Sequence, residues 1–150
     1  LDVGESLYYG DTKILAVPAL HPLNRLGKTI IAMFARSRAP GKPVNGYYFE
    51  GYYHAGATIY SAEIAKALKG HSVHTAFLPI GGKYATAAPK EALQIAEELE
   101  AKRLVPMHWQ PLAEQVFYRY QPSHLMKLAK DTDSKVEILP LAIGQKVELQ

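Results

Sequence analysis

Apolar positions come in short blocks along the first third of the chain and switch to a helical period after Gly56. Residues 6–9 and 13–17 read as two short strands around a turn at Gly10-Asp11. The run 29–35, TIIAMFA, has the unbroken apolar character of a buried strand. The Arg- and Pro-rich stretch 36–45 reads as a surface loop, and 47–55, YYFEGYYHA, as two strands pivoting at Glu50-Gly51. From Ser61, a candidate N-cap, the apolar positions Ile64, Ala65 and Leu68 fall at helical spacing and Gly70 supplies a stop. A strand over 74–82 follows, and then the strongest helix, 88–102, with Pro89 at its start and Ala92, Ile95, Ala96 and Leu99 on one face. A strand over 103–109, a helix near 123–130 and two strands in 135–140 and 145–150 complete the pattern. From Gly56 onward the alternation of strand and helix is α/β, an architecture that gathers ligands at the carboxyl ends of its strands. Those ends are 19–21, 54–58, 80–83 and 107–109.

At 150 residues the chain has the length of a single domain, 1–150, able to bury roughly 70% of its unfolded surface. Its 48% hydrophobic and 21% charged residues are those of a globular protein. The excess of 17 basic over 14 acidic residues is scattered, without the basic cluster and interleaved aromatics of a nucleic-acid surface, so nucleic acid is disfavoured as a partner. No cysteine is present, so a metal would have to be held by histidine and carboxylate. No run approaches the length of a membrane span and no signal peptide is evident, making cytoplasm the default location. The chain starts at Leu1 rather than methionine and enters strand-like sequence at once, as expected of a processed product or a piece of something longer.

Each of the four strand ends carries a histidine or a glycine-rich turn. His21, in VPALHPLN, stands between Pro18 and Pro22, whose rings stiffen the backbone around it. His108, in LVPMHW, is placed in the same way after a later strand. Neutral imidazole is the commonest transition-metal ligand, although a loop histidine engaged only in hydrogen bonds is the alternative at both positions. His54 falls within a strand, in a packing or supporting role, and His71, His74 and His124 fall at surface or helix-end positions. At the corner YYHAGATIYS the residue that would project from the strand end is Ala57, which has no chemistry of its own.

The stretches ILAVPALH, YYHAGATIYS, AFLPIGGKYATAAPKEAL and AKRLVPMHW, in this order and at these intervals, resemble the C-terminal half of a metallo-β-lactamase-fold hydrolase, similar to ascorbate-phosphate lactonases and N-acyl phosphatidylethanolamine phospholipases. The resemblance spans nearly the whole chain. It implies an αββα sandwich of which this chain is one half, and a site holding two zinc or other divalent ions that activate water against an ester, lactone, amide or phosphodiester bond of a small molecule. It implies His21 and His108 as metal ligands, and it places Ala57 where the family has the aspartate of a Gly-Asp-Thr corner. Lys83 and Tyr84, after LPIGG, become candidates for an anionic group of the substrate, with solvated loop residues as the alternative. Gly10-Asp11-Thr12 spells the corner motif but precedes His21, where the family has no ligand.

The family's His-x-His-x-Asp-His cluster is absent: His21 is the only histidine before position 54. With alanine also at the bridging position, two neutral imidazoles would make a weak site, since catalytic zinc typically keeps three protein ligands. Two readings follow. One is part of a metal-dependent hydrolase, impaired by Ala57 and completed by an N-terminal half-domain chain or by another copy of itself. The other is a non-catalytic structural or binding module that keeps the fold without the metal. Either way, strands apolar on both faces, with helices enough for one face only, imply a partner over the other.

Overall fold

Seven strands line up in sequence order in one mixed sheet. The computed structural model describes residues 1–20, 44–82, 86–109 and 120–148. β1 (Ser6–Tyr9), β2 (Thr12–Ala19), β3 (Val44–Phe49) and β4 (Tyr52–His54) form an antiparallel meander. β5 (Thr75–Pro79), β6 (Arg103–Met107) and β7 (Glu137–Ile138) continue it in parallel from β4. The switch from antiparallel to parallel falls where the sequence changes period, because parallel neighbours need a crossover and tight turns suffice before it. The crossovers are α1 (Ala62–Ala67), α2 (Pro89–Glu98) and α3 (Pro122–Asp131).

Local chemistry sets each helix. Ser61 caps α1, its Oγ accepting the Glu63 N–H at 3.3 Å, and Gly70 at φ 84° follows its end. Both α2 and α3 begin with proline at the first helical position, where a missing N–H costs nothing. Both end in a Schellman turn with a non-glycine residue in the left-handed position. Glu100 (φ 51°) closes α2, with the Ala101 N–H on the Ala96 carbonyl at 2.9 Å; Asp133 (φ 50°) closes α3, with the Ser134 N–H on the Ala129 carbonyl at 2.9 Å. The spacing predicts α2 running on to 102. It stops earlier because this turn is made by glutamate, which gives no glycine signal.

Register divides the sheet into two faces. Tyr53, Ala76 and Leu104 are cross-strand neighbours and point into the core, where they meet Ile64 and Leu68 of the first crossover, Ile95 and Ala96 of α2 and Leu125 of α3. All three helices thus cover one face. On the other, Tyr47, His54 and Phe77 form one cross-strand row and Phe49 and Tyr52 the next, half-buried to exposed, with Tyr47 at 41% exposure. No helix among the described residues packs on this second face.

Several expectations shift. Positions 44–45, read as loop, open β3, where they pair with Ala19 and Pro18. The strand expected over 135–140 shrinks to Glu137–Ile138: the Leu139 N–H makes one more bond, to Leu104, and Pro140 cannot continue the ladder. Residues 145–148 form no strand; they are exposed and follow a turn closed by the Gln145 N–H on the Ala142 carbonyl at 3.0 Å. The strand expected at 29–35 lies outside the described residues.

Candidate functional site

A chain of hydrogen bonds ties together the four strand ends singled out in the sequence. β2 runs out at Leu20, whose N–H donates to Thr58 Oγ1 at 2.9 Å and whose carbonyl accepts the Ile59 N–H at 2.9 Å. The Thr58 carbonyl accepts the Ala87 N–H at 2.7 Å, and the Ala87 carbonyl the Gly82 N–H at 3.0 Å. The Ile80 N–H in turn donates to the carbonyl of Met107 at 3.0 Å, the residue before His108. Segments far apart in sequence, ending at Leu20, Thr58, Gly82 and Met107, therefore share one edge of the sheet, at the carboxyl ends of β4, β5 and β6.

The corner after β4 is built by glycine and threonine. Gly56 adopts φ 64°, a conformation costly for other residues, and its open side faces the Asn45 carbonyl, which a Cβ there would approach to 3.3 Å. Its N–H donates to His54 Nδ1 at 3.3 Å. Thr58 is fully buried, and its hydroxyl both accepts from Leu20 and donates to the Ile59 carbonyl at 2.9 Å. Between them, half-buried, stands the methyl of Ala57. His108 is exposed with φ 57°, a left-handed backbone that few non-glycine residues adopt, and the neighbouring Trp109 Nε1 donates to the Pro106 carbonyl at 3.1 Å.

The structure thus brings the Ala57 corner, the 80–82 loop and the strand end before His108 to one edge. His21, Lys83 and Tyr84 lie outside the described residues, although Leu20 and Gly82 beside them belong to the network. The Gly10-Asp11-Thr12 turn is at the opposite end of β2, roughly 25 Å of strand away, where Thr12 Oγ1 donates to Glu50 at 2.8 Å. His54 stacks on Phe77 on the face opposite the described helices, with ring centroids 6.0 Å apart. His71, His74 and His124 are exposed: His71 lies against Tyr48, His74 over Gly51, and His124 at the start of α3.

The sequence reading missed Thr58, Thr86 and Tyr120. Thr58 was legible only as the last letter of the Gly-Ala-Thr corner. Thr86, 3% exposed, holds a hydroxyl with no hydrogen-bond partner among the described residues. The ring of Tyr120 lies against Gly82, where a Cβ would come within 2.8 Å of it, a contact that no local pattern encodes.

The donor set decides whether these residues fit the metal that the resemblance implies. Among the described residues no three His, Cys, Asp or Glu side chains converge on one point, and the corner itself offers a methyl group. The described part of the chain does not by itself make a metal centre. No helix among the described residues is long and apolar enough to cross a membrane.

No family model matches the sequence. A UPF0173 metal-dependent hydrolase of Thermococcus kodakarensis is 35% identical over 102 residues, which cover 65% of this chain and 41% of that protein. This chain thus spans well under half the length of that relative. Among solved structures, Igni18, a metallo hydrolase of Ignicoccus hospitalis, superposes on 98% of this chain and 58% of its own with a TM-score of 0.74 at 23% identity. A Thermotoga maritima protein assigned to the metallo-β-lactamase superfamily as a zinc-dependent hydrolase superposes on 95% of this chain and 72% of its own, with a TM-score of 0.64 at 19% identity. Likeness in sequence over 65% of the chain and in fold over nearly all of it agree: this is a chain of the metallo-β-lactamase fold, similar in sequence to the UPF0173 metal-dependent hydrolases.

Proposed function

We propose that this chain is the C-terminal part of a metal-dependent hydrolase, contributing His21 and His108 as metal ligands and carrying Ala57 where the bridging aspartate would stand. The observation behind this reading is the network from Leu20 through Thr58 and Ala87 to Gly82, with the Ile80–Met107 bond beside it, which sets three of the resembling strand ends next to the residue preceding His21. The remaining ligands come from an N-terminal half-domain or from another copy of this chain, seated on the face opposite the described helices, which carries Tyr47, His54 and Phe77. With the full ligand set, the metal would supply activated water for attack on an ester, lactone, amide or phosphodiester bond. Lys83 and Tyr84 would meet an anionic group of a small-molecule substrate.

Ala57 favours a second reading, a module that keeps the fold and has shed the metal, because an alanine methyl cannot ligate and the native chain then needs no hydrolytic activity. Ala57→Asp separates the two. In the presence of the completing polypeptide, zinc affinity measured by competition with a chromogenic chelator is expected to rise at least tenfold over the native chain, since a carboxylate is then added to two imidazoles. Unchanged affinity would remove Ala57 from the bridging position and leave the non-catalytic module standing.

A further inference from the structure

The start of α3 holds a titratable group where helices usually place glutamate or glutamine. His124 is the third residue of α3, and its Nδ1 accepts the Gln121 N–H at 3.0 Å, the bond that an N3 side chain makes to the N-cap backbone. The preceding residue, Tyr120, meets the edge of the His124 ring, with centroids 5.7 Å apart and planes at 81°. The other end of Tyr120 rests on Gly82. Gly82 is bonded through Ala87 to Thr58 and so to the corner at Ala57.

We propose that His124 is a pH-sensitive catch, which keeps Tyr120 packed on Gly82 at the edge of the candidate site when neutral and loosens that contact when protonated. The sign follows from the geometry. An imidazole accepts at Nδ1 only while that nitrogen is unprotonated; in the cation both nitrogens donate, and the Gln121 N–H loses its partner. The added charge also stands in the first turn of α3, at the positive end of the helix dipole, where a cation is disfavoured. The catch is therefore closed while the imidazole is neutral and open once it is protonated.

The charged groups of α3 and of α2, which packs against it, have partners of their own or face solvent. On α3, Lys127 is paired with Asp131 at 2.9 Å. On α2, which packs against α3, the Glu91 carboxylate accepts the Ala88 N–H at 2.9 Å and Glu97 accepts from Ser134 Oγ at 2.7 Å, while Lys90 is exposed. No carboxylate among the described residues pairs with His124. Among the described residues the ring packed against His124 is that of Tyr120. The catch does not depend on the hydrolase reading, because it needs only the loop and the start of the helix.

Nitrogen-15 spectra of the chain between about pH 8 and pH 5 test it. The amides of Gln121 and Gly82 are expected to shift with one common midpoint, that of the His124 ring, and the Gln121 amide to lose about fivefold of its exchange protection on the acid side. His124→Gln keeps an N3 acceptor that does not titrate, so both amides should then stay in the closed position throughout. Tyr120→Leu should leave the Gln121 transition in place and abolish the one at Gly82. A Gly82 amide that ignores the His124 midpoint in the native chain, or a transition that survives His124→Gln, would overturn the proposal.

Discussion

Thr58→Val replaces a hydroxyl by a methyl of nearly the same size and so isolates what the Thr58 hydroxyl contributes at the corner. The threonine is fully buried and its Oγ1 serves two partners, the Leu20 N–H at 2.9 Å and the Ile59 carbonyl at 2.9 Å. Valine fills the same space and leaves a donor and an acceptor stranded. An orphaned buried group costs about 1–3 kcal/mol. Leu20 is itself 49% exposed, so water reaches part of the junction and the lower half of that range applies, about 1–2 kcal/mol in all. Because Thr58 Oγ1 is the Leu20 acceptor, the loss should concentrate there: amide exchange at Leu20 is expected to accelerate by about 5–30-fold, the factor equivalent to that energy. The midpoint of thermal unfolding should fall by about 2–4 °C per kcal/mol lost. Thr58→Ser keeps both hydrogen bonds and gives up one methyl group, so Leu20 exchange should stay near the native rate. If valine and serine change Leu20 exchange equally, or valine leaves it untouched, then the Thr58 hydroxyl does not join the end of β2 to the corner and the reasoning fails.

Gly46→Ala should destabilise the chain by about 1–3 kcal/mol in urea titration, because a Cβ there would come within 2.9 Å of the Tyr53 ring and 3.0 Å of the His54 carbonyl, and backbone cannot yield as a side-chain tip can. Tyr53 is 0% exposed and its hydroxyl has no partner among the described residues, so Tyr53→Phe should be neutral or stabilising, which a urea midpoint at neutral pH will show. Burial also raises the Tyr53 phenol far above its ordinary range: the folded state keeps the proton while the unfolded chain gives it up above about pH 10, so native stability should fall as pH rises past that point and Tyr53→Phe should flatten the fall. The face opposite the described helices, with Tyr47 and Phe77, should make the isolated chain self-associate or bind a hydrophobic dye at micromolar concentration, and sedimentation of a dye-negative monomer would argue against a partner there.

Periodicity alone carried the order of the elements, because strand and helix impose different spacings on the residues that must be buried. The antiparallel opening, the change of period at Gly56, the cap at Ser61 and the apolar face of α2 are all properties of neighbouring residues, and all are visible in the chain read end to end. Order and spacing of four short stretches likewise pointed to the fold and to the corner at Ala57. What the sequence could not show depends on atoms brought close by the fold. The left-handed turns at Glu100 and Asp133 end their helices without glycine, the run at 145–148 stays exposed outside the sheet, and Thr58 acquires its role only when Leu20 arrives from 38 positions away. Tyr120 against Gly82 is of the same kind. Local propensity fixes which segments are helix or strand, but which strand ends share an edge is set by sheet register and by crossovers, and a site made at that edge exists only once the chain has closed on itself.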